Sequence, residues 1–293
     1  QTWCCEESPE VINETILVLI PKVGDPTQLT QFRPISLCNV LYKIISKVLT
    51  SRMKVFIGDI ISQNQSAFIP SRLITDNSII AFECIHHIQS VKENSPALCA
   101  YKLDLSKAYD QVDWDSLVRA LLKWGFPQFW VSRVMACVSS VKYSVKFNGK
   151  LLEVFSPSRG LRQGDPLSPF LFIFVADALS ALITSSVESG ELRGVTICRG
   201  APEISHLLFA DDTMLFFEAS NQQASIVKGL MNTYTSATGQ LINPEKCSIL
   251  FSDNCPEAVA EEMKGILEVT QQVFEPKYLG LPVPEGRVHK GNS

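Results

Sequence analysis

Apolar residues fall into short runs and helical stripes, and the spacing within each decides which element it predicts. Val11 to Ile20 is a mostly apolar run closed by Pro21-Lys22 and the Gly24-Asp25-Pro26 turn, which predicts a strand. Phe32 to Leu37 resumes extended, because Pro34 keeps Arg33 out of the helical region. After Asn39, an N-cap residue type, Val40, Leu41, Ile44, Ile45, Val48 and Leu49 share one helical face and predict an amphipathic helix buried on that side. Gln63 to Arg72 reads as a loop. A second helix follows over Thr75 to Lys92, with Ile79, Phe82, Ile85 and Ile88 as its stripe. Ala97 to Leu105 predicts a central strand ending at Asp104. Trp114 to Trp124 and Gln128 to Ser139 predict helices parted by Gly125-Phe126-Pro127. Val141 to Phe147 and Leu151 to Phe155 flank Asn148-Gly149, a strong hairpin signal. Beyond the Gly160 to Pro169 loop, a long helix spans Phe170 to Val187. Leu207 to Ala210 and Met214 to Phe217 then predict a hairpin with Asp211-Asp212 at its tip. Asn221 to Thr238 is helical and stops at Gly239. Lys246 to Phe251 predicts a strand, Pro256 to Leu267 a helix, and Tyr278 to Val283 a short strand or turn. Hairpins outnumber strand–helix–strand units, so the pattern predicts an α+β fold with an antiparallel sheet.

Composition narrows this picture. With 293 residues, 46% hydrophobic and 19% charged, the chain holds enough core for one large domain or two modest ones. A net charge of −4 argues against a surface that grips nucleic acid everywhere, and permits a basic groove. Nine cysteines without a Cys-x-x-Cys pair predict reduced, mostly buried thiols in an intracellular protein, with no structural zinc. His86 and His87 are adjacent on a helix and point apart, which disfavours a shared metal. No apolar run is read as long enough to span a bilayer, and the N-terminus lacks a signal-peptide pattern. The absence of an initiator Met and the polar tail from Arg287 to Ser293 read as cuts through a longer chain.

The chemistry concentrates at strand ends. Asp104 closes one apolar strand and Asp211-Asp212 interrupts another. Like charges buried together need a cation, and a carboxylate-rich oxygen site suits Mg²⁺ with substrate phosphates as its other ligands. Read alone, such a pair is also an ordinary solvated turn. Lys22 and Arg33 flank a turn and are of the type that grips a triphosphate, although single loop cations are commonly just solvated. The stretch from Gly160 to Pro169 packs two Gly and two Pro around Arg162, Gln163 and Asp165 and then opens a helix. That suits close backbone approach to a nucleotide, or an ordinary turn.

Taken together and in order, these segments resemble the reverse transcriptase of a non-LTR retrotransposon of the plant LINE type. Ile20-Pro21-Lys22 with Phe32 to Leu37 is similar to the fingers motifs, and Gln65 to Arg72 to the loop that follows them. Leu103 to Asp110 is similar to the first palm motif, Gln163-Gly164 to the second and Phe209-Ala210-Asp211-Asp212 to the third. Gly239 to Ser248 resembles the fourth, and Tyr278 to Pro282 the primer-gripping turn. The resemblance implies a right-hand polymerase palm plus fingers with the thumb largely missing. Residues 1–95 would be N-terminal fingers, 96–113 first palm, 114–165 fingers and palm helices with a hairpin, 166–252 second palm, and 253–293 palm end and primer grip. It implies an RNA-directed DNA polymerase. Asp104, Asp211, Asp212 and the Leu105 carbonyl would bind two Mg²⁺ ions, with Mn²⁺ as a substitute. Asp212 would be the weaker carboxylate ligand. Tyr109 would be the steric gate against ribonucleotides, where the family more often has Phe. Lys22 and Arg33 would contact the triphosphate, Gln163 and Gly164 the nucleotide and template, and Lys246 would protonate pyrophosphate. Tyr278, Leu279 and Gly280 would hold the primer. Partners would be an RNA template, a DNA primer and deoxynucleoside triphosphates, with no membrane, in a nuclear setting. No endonuclease, thumb or Cys-His knuckle is read in the chain. That leaves two further readings: an inactive remnant that binds RNA at most, and an intron maturase.

Overall fold

The computed structural model describes residues 9–283. In chain order the elements are β1 (Glu14–Pro21), β2 (Phe32–Cys38), α1 (Val40–Met53), α2 (Ile57–Ile60), α3 (Ile74–Gln89), β3 (Leu98–Leu103), α4 (Ala108–Gln111), α5 (Trp114–Lys123), α6 (Gln128–Ser139), β4 (Lys142–Phe147), β5 (Lys150–Leu151), α7 (Ser168–Glu188), β6 (His206–Phe209), β7 (Asp212–Glu218), α8 (Asn221–Thr238), β8 (Ser248–Phe251), α9 (Glu257–Leu267), β9 (Lys277–Tyr278) and β10 (Leu281–Pro282). They form two compact units. Among the described residues, one contains 9–60 and 107–175, the other 61–106 and 176–283. Residues 61–95, grouped by sequence with the fingers, fall in the second unit.

The first unit carries a sheet of order β2-β1-β4-β5. β1 pairs antiparallel with β2, Leu17 opposite Ser36, and parallel with β4, Leu17 opposite Val145. The Asn148-Gly149 hairpin forms as expected, with Phe147 opposite Lys150. Both turn residues have positive φ, at +46° and +79°, as a type I′ turn requires. Helix α1 overturns its pattern reading. Val40, Leu41, Ile44 and Val48 are exposed, and the buried side is Tyr42, Ser46, Leu49, Thr50 and Met53. A buried ion pair explains the inversion. Arg162 and Asp165, both almost wholly buried, stand 3.2 Å apart. The Asp165 carboxylate accepts hydrogen bonds from Tyr42 (2.6 Å) and Ser46. The Arg162 guanidinium lies 3.8 Å from the Tyr42 ring centroid and donates to Asn13, Thr15 and the Cys137 carbonyl. A buried charge demands such partners, so it draws the polar side of α1 inward.

The second unit carries an all-antiparallel sheet of order β6-β7-β3-β8. Ala100, Leu207, Met214 and Phe216 form a core with Ala81, Cys84, Ile85 and Ile88 of α3, and Tyr278 joins it. Cys99, Tyr101, Leu103, Leu215 and Phe217 on the alternate face are buried too. A sheet buried on both faces reads as continuous apolar strands, which is the pattern around Asp211-Asp212. Ser220 caps α8 through its hydroxyl, and Gly239 ends the helix at φ +76°. β8 starts at Ser248, two residues later than the pattern suggests, because Lys246 sits in a turn closed on the Asn243 carbonyl. Helix α7 is long and apolar enough to cross a membrane by length and composition, contrary to the sequence reading. Two thirds of its apolar window is buried inside protein (67%), as in a core helix.

Candidate active site

The second unit brings three expected carboxylates into electrostatic contact. Thr213 of β7 pairs with Leu103, the last residue of β3, so Asp104 leaves its strand at the level where Asp212 opens the next. Phe209 pairs with Asp212, which leaves Ala210 and Asp211 as the two turn residues. The expected tip is therefore divided. Asp211 is exposed in the turn, and Asp212 is half-buried in the strand.

Burial pushes the Asp104 carboxyl above its ordinary value. The Asp211 charge adds to this, against the pull of Lys246, Lys102 and the Asn243 side chain. Asp212 is raised for the same reasons, by burial, then Asp211 and Asp104, with Lys102 opposing. Mutual repulsion and desolvation both favour neutral forms here, and a bound cation would reverse that. Asp104 Oδ2 is buried without a hydrogen-bond partner, and its nearest cation, Lys246 Nζ, stands 3.8 Å away. Among the described residues, no three His, Cys, Asp or Glu side chains are grouped to enclose an ion. The donor set suits an ion that takes one or two carboxylates and completes its shell with water and substrate phosphate. The Leu105 carbonyl is compatible with that shell. Leu105 faces Ile242 in an antiparallel bridge whose bonds run through neighbours, Ser106 N–H to the Leu241 carbonyl and Asn243 N–H to the Asp104 carbonyl. Neither backbone group of Leu105 is spent on that bridge.

Other expected residues lie in the first unit. Tyr109 is half-buried in α4 and stacks on Phe172 with ring centroids 4.9 Å apart. Its carbonyl accepts from Leu161 N–H at 2.8 Å. Gln163 gives its carbonyl to Ser36 N–H at 2.8 Å and its side chain to Asp110. Gly164 has φ +104°, and a Cβ there would stand 3.1 Å from the Ser36 carbonyl, so this loop crosses β2 at a distance that suits glycine. Lys22 and Arg33 are exposed at the end of the β1–β2 hairpin, where Ile20 pairs with Arg33 and Lys22 N–H bonds the Gln31 carbonyl. Arg162 and Asp165, read from sequence as part of a nucleotide-facing loop, are instead buried structural residues.

The Tyr278 side chain is fully buried, and its hydroxyl donates to Asn77 Oδ1 at 2.8 Å, so its ring anchors the turn from the core side. Leu279 and Gly280 form the turn between β9 and β10, with φ +49° and +82°. Sequence reading also missed Gln65, Asn243, Lys102 and Cys247. Cys247 is buried, with its Sγ 3.5 Å from the Asp104 amide nitrogen. The alternation of β3 places Lys102 on the Asp104 face and was a usable signal. The other three act from loops or from a register no periodicity reveals.

A family described as reverse transcriptase (RNA-dependent DNA polymerase) matches residues 20–283. The chain belongs to the reverse transcriptase family. This reverse transcriptase chain is 29% identical over 84% of its length to the transposon TX1 uncharacterized 149 kDa protein of Xenopus laevis, covering 18% of that protein. It is 31% identical over 84% of its length to the Pol polyprotein of the type-2 retrotransposable element R2DM of Drosophila melanogaster, covering 22% of it. Over 66 residues it is 53% identical to an uncharacterized mitochondrial protein of Arabidopsis thaliana, AtMg01250. The reverse transcriptase chain thus spans about a fifth of the length of its first two relatives. Its fold resembles an apo telomerase from Candida tropicalis, at TM-score 0.56 and 13% identity over 84% of this chain and 51% of that one. The fold is α+β, of the palm-and-fingers kind, and the family uses divalent metal ions.

Proposed function

We propose that this chain is the catalytic core of a plant LINE-type non-LTR retrotransposon reverse transcriptase, copying an RNA template by extending a DNA primer. The observation that carries the reading is the coupled set of Asp104, Asp211 and Asp212, with the buried, unbonded Asp104 Oδ2 at its centre. Asp104 and Asp211, with Asp212 as the weaker third, would hold two Mg²⁺ ions, or Mn²⁺ in their place, and the Leu105 carbonyl would assist. When bound, these ions make the primer 3′-hydroxyl more acidic and neutralise charge on the triphosphate and departing pyrophosphate. The chain's own part is to keep oxygen ligands at fixed spacing on a rigid sheet.

Lys246, within ion-pair range of Asp104, would give a proton to the pyrophosphate. Tyr109, fixed by its stack on Phe172, would present its ring to the sugar and exclude a 2′-hydroxyl. Lys22 and Arg33 would grip the triphosphate, and Gln163-Gly164 would pack against the nucleotide and template. Leu279 and Gly280 would present backbone to the primer end, with Tyr278 as their buried footing. We assign the second unit to the palm and the first to the fingers. The Arabidopsis match supports the plant origin, and the TX1 and R2DM matches support the retrotransposon class.

Primer extension on an RNA template with Mg²⁺ tests the reading. Asp211→Asn should abolish incorporation while the protein stays folded by circular dichroism. Equal incorporation by both proteins would sink the assignment.

A further inference from the structure

Ala210 precedes Asp211 in the turn and has φ +56°, a left-handed conformation that a residue with a Cβ rarely adopts. Something must hold it there, and Gln65 is placed to do so. Its Oε1 accepts from Ala210 N–H at 3.0 Å, and its Nε2 donates to the Ala210 carbonyl at 3.4 Å. One side-chain amide thus engages both backbone groups of the strained residue. Gln65 is fully buried, and its Oε1 also accepts from Ala67 N–H at 2.9 Å.

The segment carrying Gln65 is itself fixed. Gln65 forms a parallel bridge with Leu208 of β6, in which Leu208 N–H donates to the Asn64 carbonyl and Ser66 N–H to the Leu208 carbonyl. Arg72 donates to the carbonyls of Ile61, Ser62 and Gln65. Asn77 Nδ2 reaches the Leu208 carbonyl at 3.0 Å and Ser66 Oγ at 3.2 Å, while Asn77 Oδ1 receives the Tyr278 hydroxyl. The residue type is also constrained. The contact needs one acceptor and one donor on a planar head without charge, and glutamine supplies this beside two aspartates. Glutamate would add a third negative charge, and asparagine is one methylene shorter.

We propose that Gln65 is a positioning residue for the catalytic turn: its carboxamide holds Ala210 left-handed and thereby sets the direction of the Asp211 carboxylate. This rests on the reading that Asp211 is a metal-binding catalytic residue.

The test uses Gln65→Leu, which keeps the volume and removes both contacts. Mn²⁺ binding is titrated by electron paramagnetic resonance without nucleotide, and single-nucleotide incorporation is measured alongside. A supporting group behind a metal ligand is worth about 10- to 100-fold in metal affinity, so Mn²⁺ should bind at least about 10-fold more weakly. Incorporation should fall by about 100-fold, as for a small misplacement of a reacting group. Ala210→Gly in the Gln65→Leu background should recover part of both, because glycine adopts positive φ without a clamp. Should Gln65→Leu not fold, Gln65→Asn carries the same comparison. Wild-type Mn²⁺ affinity in a folded Gln65 variant, or no recovery with Ala210→Gly, overturns the proposal. Asp211→Asn separates the two failures. If it loses Mn²⁺ binding and Gln65→Leu does not, only the clamp is wrong. If Asp211→Asn keeps Mn²⁺ binding and incorporation, the reading of the site fails first.

Discussion

Arg162→Met would break the buried ion pair of the first unit while keeping most of the side-chain volume. The Asp165 carboxylate would remain almost wholly buried, with Tyr42 and Ser46 as donors and its countercharge gone. Removing one partner of a buried pair typically costs about 3–5 kcal/mol. The lost stacking on Tyr42 adds up to about 2 kcal/mol. The Cys137 carbonyl loses little, since Asn13 Nδ2 still donates to it at 2.9 Å. These effects overlap, so about 4 kcal/mol is the working figure. With a urea slope of about 2 kcal/mol/M, the midpoint falls by about 2 M. The three tryptophans among the described residues, Trp114, Trp124 and Trp130, belong to the first unit, so their fluorescence follows the affected part of the chain. The double replacement Arg162→Met with Asp165→Leu should regain most of the loss, because no isolated charge is left behind. A loss below about 1 kcal/mol in Arg162→Met, with a raised KM for deoxynucleotides, would refute the reasoning and place this arginine at the nucleotide instead.

Three further outcomes are expected. Tyr109→Ala should admit ribonucleotides by at least about 10-fold in relative kcat/KM, since the ring would no longer meet the 2′-hydroxyl; unchanged discrimination rejects the gate. His206 is buried against Ser180, Ser205 and Asn64, and its pKa is pushed down to about 3. The unfolded chain therefore takes up the extra proton between pH 6.5 and 3, so stability from this residue is lost as pH falls, by about 3 kcal/mol at pH 4.5. His206→Asn should flatten that slope in urea titrations. Asp177 works in the opposite sense. Burial raises its carboxyl to about 6, so the folded chain holds the extra proton and stability falls as pH rises from 3.8 to about 6. Asp177→Asn should remove a loss of up to about 3 kcal/mol and leave the acid slope of His206 exposed; a pH profile like the wild type's would show that the carboxyl titrates normally.

The residues themselves show what the sequence made legible. Asn148-Gly149 identified its hairpin because a type I′ turn depends on two adjacent residues. The runs around Asp211-Asp212 identified theirs because both faces of the sheet are buried. Apolar counting failed on α1, where Tyr42 and Ser46 face inward to a carboxylate 119 or more positions away. The parallel pairing of β1 with β4 likewise depends on partners more than 100 residues apart, and no local pattern encodes it. In the candidate site, the acidic residues were visible as interruptions of apolar strands. Gln65 and Cys247 were not, because what matters about them is which backbone atoms they meet. The burial of the Tyr278 ring was not legible either, because a motif position says nothing about which way a ring points.

The most direct measurement is the location of Mn²⁺ by anomalous scattering in crystals of this chain with an RNA template, a DNA primer and a non-hydrolysable deoxynucleotide. An anomalous peak bounded by carboxylate oxygens of Asp104 and Asp211 and by the nucleotide phosphates is the predicted result. Mn²⁺ bound elsewhere, with Asp104 Oδ2 unliganded while nucleotide is present, would contradict it.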